Sequence, residues 1–233
     1  MPTLPIDIIG FDLDGTLIDT SVDLAAATNH ALALAGRSPL DIDAIKPMIG
    51  LGAKHMLEQG LAATGGIEPD AFKPLYRELL RFYEANIAVY SRPYPGALDL
   101  LDALDARGIV YGVVTNKFEG LARQLLDALG LTPRLSAIIG GDTMGRGRAK
   151  PAPDGVLELL RRSGRQQAMF VGDSIYDIDA GRAAGTVTVA VSFGFLHQPV
   201  VSLGADHVID HFDELMPLIA SAQPITSAHR ASP

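Results

Sequence analysis

Two carboxylates stand two residues apart in Asp12-Leu13-Asp14-Gly15-Thr16-Leu17, directly after the apolar run Ile6 to Phe11. On a continuing strand they would point to opposite faces, but a turn at Gly15 brings both into one pocket. Such a pair can divide the work of phosphoester chemistry. One acid stays ionised to attack phosphorus, which a bound divalent cation favours; the other holds a proton for the leaving alkoxide and later takes one from water. Asp12 suits the first role and Asp14 the second. An isolated Asp-x-Asp-Gly is equally compatible with a turn carrying solvated acids, so the rest of the chain must decide.

Further polar residues close other apolar runs. Thr115 and Asn116 follow Ile109 to Val114 and can donate hydrogen bonds to phosphate oxygens or cap the next helix. Lys150, at the end of the basic loop Arg146 to Lys150, offers a point charge to a doubly charged phosphoryl group; taken singly it also reads as a surface lysine. Asp173 follows Met169 to Val171-Gly172 and suits either a metal-facing role or the cap of a helix beginning near Ile175. Asp177 lies one helical turn on, placed to steady Lys150 or a metal-bound water, and Ser174 can assist it.

These residues must be carried by an alternating framework. Apolar runs at Ile6–Phe11, Ile109–Val114, Leu135–Ile139, Met169–Val171 and Val187–Val191 read as buried strands. Helical patterns lie between them at Gly96–Arg107, Phe118–Leu129, Pro153–Arg162 and Ile175–Ala184. Strand alternating with helix predicts a parallel sheet covered on both faces, with ligands bound beyond the carboxyl ends of its strands. From about Ser21 to Tyr90 the apolar spacing changes to three and four, predicting three or four helices inserted as a cap, with Arg92 to Gly96 as the return linker. The expected organisation is a Rossmann-like α/β core of residues 1–18 and 93–225, a small α-helical cap of 19–92, and a flexible tail of 226–233.

Composition removes several alternatives. The 233 residues, 48% of them apolar, suffice for one core and a smaller module. The longest candidate for a membrane span, Gly185 to Leu196, falls short of the roughly 18 apolar residues required. The N-terminus lacks a basic-then-apolar secretory pattern, so a cytoplasmic location is expected. With no cysteine, thiolate nucleophiles and thiolate-bound metals are excluded, and any metal must use oxygen or imidazole. A formal charge of −8 argues against general nucleic-acid binding.

Asp12-Leu-Asp-Gly-Thr16 resembles the signature of the haloacid dehalogenase superfamily in its phosphatase branch. Thr115-Asn116-Lys117, Lys150-Pro151 and Gly172-Asp173-Ser174-Ile175-Tyr176-Asp177 match the other elements in order. The resemblance covers Ile6 to about Ser192. It implies an aspartyl-phosphate on Asp12, acid–base work by Asp14, a phosphoryl group held by Thr115, Asn116 and Lys150, and Mg2+ bound by Asp12, the Asp14 carbonyl and Asp173. It also implies phosphatase rather than dehalogenase chemistry, since a halide leaves without the proton that Asp14 supplies. Met48 to His55 resembles a cap loop facing the site, where Gly50 and Lys54 would contact the substrate; Lys54 and His55 also suit solvent-facing helix positions. Ile139 to Thr143 looks most like the phosphoglycolate phosphatases, although the Met144–Ala149 loop departs from their pattern. The expected partner is a small phosphorylated metabolite. A sugar-phosphate mutase of the β-phosphoglucomutase kind and a non-catalytic phosphoester-binding protein are the rival readings.

Overall fold

The computed structural model describes residues 4–219. The chain enters through β1 (Ile8–Phe11) and the short β2 (Ile18–Asp19), then runs through four helices: α1 (Ser21–Leu34), α2 (Ile42–Ile45), α3 (Ala53–Ala63) and α4 (Pro69–Ala85). It returns through β3 (Arg92–Pro93) and α5 (Ala97–Ala106), after which β4 (Val110–Val114), α6 (Glu119–Ala128), β5 (Ile138–Ile139), α7 (Asp154–Ser163), β6 (Ala168–Gly172), α8 (Ile175–Ala183), β7 (Val187–Val191) and β8 (His207–Ile209) follow.

Six strands form one parallel sheet in the order β5-β4-β1-β6-β7-β8. β1 is flanked by β4 and β6, with Ile8 opposite both Val110 and Ala168. All four of its residues are buried, as a strand covered on both faces requires. The winding reverses at β1: successive strands first build outward through β4 and β5, and the chain then crosses back to β6 on the other side. Such a reversal opens a crevice at the carboxyl ends of the strands.

The helical segment holds together through the stripes visible in the sequence. Met56, Leu57 and Leu61 on α3, and Leu75, Leu79 and Tyr83 on α4, are buried together with Leu24, Thr28 and Ala31 on α1. Complete burial of Leu57 or Leu79 stabilises the segment by about 1.5–3 kcal/mol each. The two chain crossings into this segment are tied to each other. β2 and β3 pair antiparallel, Ile18 opposite Pro93 and Asp19 opposite Arg92. The buried Asp23 accepts hydrogen bonds from the Tyr90 and Ser91 amides and the Ser91 hydroxyl at 2.7–3.1 Å.

Differences from the sequence reading are local. β5 is confined to Ile138–Ile139 because Thr132–Arg134 forms a 3-10 turn just before it. The sixth strand, β8, was not anticipated: it has three residues, and only Ile209 of them is buried, too weak an apolar run to recognise. The expected tail, 226–233, lies outside the described residues.

Candidate active site

The carboxyl ends of β1, β4 and β6 place the chemistry. The Asp12 amide donates to the Val171 carbonyl at 2.9 Å, extending the β1–β6 pairing one residue and seating the first acid at the sheet's rim. The chain then turns at Gly15, whose φ of +88° suits glycine; a Cβ there would stand 2.3 Å from Asp173 Oδ2. Gly172 permits a second close approach, since its Cβ would meet Asp177 Cβ at 2.2 Å. The loop after β6 therefore closes tightly, and Ser174 and Asp177 form a capping box at the start of α8. With that cap in place, the carboxylate of Asp173 is not needed by the helix. It accepts instead from the Phe195 amide at 2.6 Å, with the Thr16 hydroxyl 3.5 Å away.

Lys150 bridges the acids. Its Nζ donates to Asp12 Oδ1 and to Asp177 Oδ1, each at 2.5 Å, and Asp177 Oδ2 accepts from the Ser174 hydroxyl and amide. Asp12 Oδ2 has no hydrogen-bond partner among the described residues, so one oxygen is fixed by Lys150 and the other carries no hydrogen bond. Asp12, Asp173 and Asp177 can each offer an oxygen within 4.8 Å of the others. All three are buried, Asp177 fully. Three carboxylates against one ammonium leave two negative charges if every acid is ionised.

The titration behaviour expresses that excess. Burial pushes Asp12 up from 3.8 to about 7, Lys150 opposes the rise, and Asp177 and Asp14 add to it. Burial likewise holds Asp173 well above the carboxylate range, with repulsion from Asp177 and Asp12. Burial alone would lower the Lys150 ammonium, but the charges of Asp12 and Asp177 outweigh it and hold the group above its ordinary value. A hard divalent cation fits this all-oxygen, doubly negative cluster, by donor type and by charge.

Asp14 faces a different environment. Lys117 Nζ donates to both of its oxygens, at 2.8 and 2.7 Å, and the Thr20 hydroxyl donates to Oδ1 at 2.7 Å. Tyr83, from α4, lays its ring 4.7 Å from the same Nζ. Asp14, Lys117 and Tyr83 line a cavity of about 280 Å³ together with Asp12, Thr115 and apolar residues of the helical segment such as Leu24, Met56 and Leu79. Burial pushes the Tyr83 phenol up to about 12.

The remaining residues singled out from sequence are placed as follows. Thr115 is buried at the end of β4 and accepts from the Lys117 amide at 3.2 Å, leaving its hydroxyl hydrogen without an acceptor among the described residues. Helix α6 is capped not by Asn116 but by Asp142, which accepts from the Glu119 amide at 2.8 Å. Asn116 Nδ2 donates to the carbonyls of Gly50 and Lys150 at 2.9 and 3.2 Å, so both amide hydrogens are committed and only its backbone N–H is left to donate. Gly50 and Lys54 line the cavity, but the Lys54 side chain is 66% exposed and 3.4 Å from Glu58. His55 does not line it. The Met144–Ala149 loop is largely exposed, with Arg148 3.3 Å from Asp154.

Lys117, Thr20, Tyr83 and the Phe195 amide received no role from the sequence. For Lys117 a signal was present, a basic residue just beyond the hydroxyl-bearing end of a strand. For Tyr83 there was none, since its place on the apolar stripe of α4 reads as packing.

Comparison with known proteins agrees with this geometry. The family profile described as haloacid dehalogenase-like hydrolase matches residues 9–191. The chain is 41% identical over 221 residues to a phosphoglycolate phosphatase of Agrobacterium fabrum, covering 94% of this chain and 93% of that protein. It is 35% identical over 228 residues to an N-acetylmuramic acid 6-phosphate phosphatase of Pseudomonas aeruginosa, covering 95% and 98%. The crystal structure of a predicted phosphoglycolate phosphatase from Haemophilus somnus 129pt superposes with a TM-score of 0.85 at 30% identity, covering 91% of this chain and 97% of that one. The chain belongs to the haloacid dehalogenase-like hydrolases and is a phosphoric monoester hydrolase. No helix among the described residues is long and apolar enough to cross a membrane.

Proposed function

We propose that this chain is a Mg2+-dependent phosphatase that removes the phosphoryl group from a small cytoplasmic metabolite, with 2-phosphoglycolate as the first candidate, through an aspartyl-phosphate on Asp12. The observation that carries the reading is the division of two buried lysines between two acids: Lys150 fixes one oxygen of Asp12, and Lys117 holds both oxygens of Asp14. Asp12, the Asp14 carbonyl and Asp173 are the groups we assign to the cation. Bound there, Mg2+ would screen the phosphoryl charge and favour the ionised form of Asp12.

The chain's own residues then act in sequence. Asp12 Oδ2 attacks phosphorus while the bond to the leaving oxygen breaks, and Asp14, which enters this step protonated, gives its proton to that oxygen. Lys150, Thr115 and the Asn116 backbone N–H balance negative charge on the transferring group. Water next attacks the aspartyl-phosphate, Asp14 takes its proton, and phosphate leaves with Asp12 restored. The helices from Ser21 to Ala85 serve as the cap, excluding bulk water and presenting Gly50 and Lys54 to the leaving group.

The identity of the ester draws on the named relatives. Most of those cited act on phosphoglycolate, as their names state, and one acts on N-acetylmuramic acid 6-phosphate. The apolar walls of the cavity suit the bulkier sugar ester as the second candidate. The test is a kcat/KM panel with Mg2+ containing both esters, hexose phosphates and p-nitrophenyl phosphate, run beside Asp12→Asn. We expect free phosphate from at least one metabolite and a loss of roughly a thousandfold or more in the variant. Wild-type turnover by Asp12→Asn would overturn the nucleophile assignment, and accumulation of an isomer in place of phosphate would favour a mutase.

A further inference from the structure

As the proposed acid, Asp14 must hold its carboxyl group in one direction, and its isolated backbone bridge to Ile18 in the turn after β1 does not fix that side chain. We infer that Lys117 is the positioning residue for Asp14, and that Tyr83 keeps Lys117 aimed. This rests on the phosphatase reading and deepens it.

Three observations converge. Lys117 Nζ contacts both carboxylate oxygens at nearly equal distance, 2.8 and 2.7 Å, so rotation about the terminal bond of Asp14 would lengthen at least one contact. The Thr20 hydroxyl adds a third contact to Oδ1 at 2.7 Å from another element. Lys117 itself is 8% exposed, so its ammonium depends on neighbouring protein groups to hold it in place. The Tyr83 ring, 4.7 Å from Nζ, supplies a face that attracts the cation. Among the described residues the Tyr83 hydroxyl has no partner at full hydrogen-bond geometry, and the ring lies against Lys117. The three contacts come from the β4–α6 loop, the start of α1 and the far end of α4.

The arrangement separates Lys117 from Lys150. Lys150 touches Asp12 and Asp177 and belongs to the phosphoryl end of the site. Lys117 touches neither and belongs to the leaving-group end. Loss of Lys117 should therefore appear in the breaking of the bond to the leaving oxygen, and most strongly when that oxygen needs a proton. An alkyl oxygen does. A p-nitrophenyl oxygen leaves as a stable anion and does not.

The experiment measures kcat and KM of wild type, Lys117→Met, Lys117→Arg and Tyr83→Leu on an alkyl phosphate and on p-nitrophenyl phosphate, with a thermal melt of each variant. The ratio of alkyl to aryl kcat should fall roughly tenfold to a hundredfold in Lys117→Met. Tyr83→Leu should shift it in the same direction by less, and Lys117→Arg should recover part of it. In an Asp14→Asn background, Lys117→Met should produce no further drop in the ratio. Equal loss on both esters by variants that melt normally would overturn the inference, as would an undiminished ratio. Failure of wild type to hydrolyse either ester would instead strike the phosphatase reading. The inference would then be read from a structure of Lys117→Met, and an Asp14 carboxyl group unmoved there would overturn it.

Discussion

The two ends of the site use the same pair of residue types and reach opposite electrostatic outcomes. At the end proposed for the phosphoryl group one lysine serves two carboxylates with a third beside them, and the cluster is short of positive charge. At the end proposed for the leaving group one lysine serves one carboxyl group, so the pair is neutral with Asp14 ionised and carries one positive charge with Asp14 protonated for the transfer. Burial makes the difference matter, because charges removed from water are not screened. The first end calls for a cation. The second is complete from the chain's own atoms and can sit against the apolar wall of the cavity.

The sharpest way to break this comparison is to remove the cationic half of the crowded end. Lys150→Met leaves Asp12 and Asp177 without their shared partner, and without metal it should destabilise the protein by roughly 3–5 kcal/mol in a denaturant titration. Saturating Mg2+ should return part of the loss. A metal-free cost below about 1 kcal/mol would mean that the rim is not limited by charge.

A smaller effect is expected in the pH dependence of metal binding. Asp12 is raised from 3.8 to about 7 in the folded, metal-free protein, so the folded state holds its proton more tightly than the unfolded chain. The stability this contributes is complete below about pH 4 and is lost as pH rises toward and through 7. The proposed cation would bind the ionised acid and offset that loss. The rise in melting temperature on adding Mg2+ should therefore be larger at pH 8 than at pH 6, and an effect independent of pH would place the cation away from Asp12.

The smallest effect belongs to the neutral end. The Tyr83 hydroxyl is buried without a hydrogen-bond partner among the described residues, so Tyr83→Phe should leave stability within about 1 kcal/mol of wild type or raise it. A loss of several kcal/mol would show that the hydroxyl has a partner after all.

The two ends also differed in how far they could be read from sequence. Asp12, Asp173 and Asp177 follow closely on the carboxyl ends of β1 and β6, and Lys150 stands just before a proline in the loop between β5 and α7; all lie in short motifs with glycine or proline, and the chemistry proposed for them follows from residue type. The sheet was legible for the same reason, because buried parallel strands are written as continuous apolar runs; β8, with one buried residue, was not. The clamp on Asp14 joins positions 20, 83 and 117, and no local pattern announces it. Thr20 and Lys117 look like turn residues, and Tyr83 like one more apolar position on α4. Asn116 shows the converse: its type suggested a side-chain donor, but tertiary structure committed both amide hydrogens to Gly50 and Lys150.

The central claim is tested most directly by stopping the reaction in acid during turnover and mapping the protein by mass spectrometry. The account expects one added phosphoryl mass on the peptide carrying Asp12, present with Mg2+ and absent from Asp12→Asn. A phosphoryl group recovered on any other residue, in an enzyme that turns over normally, would contradict it.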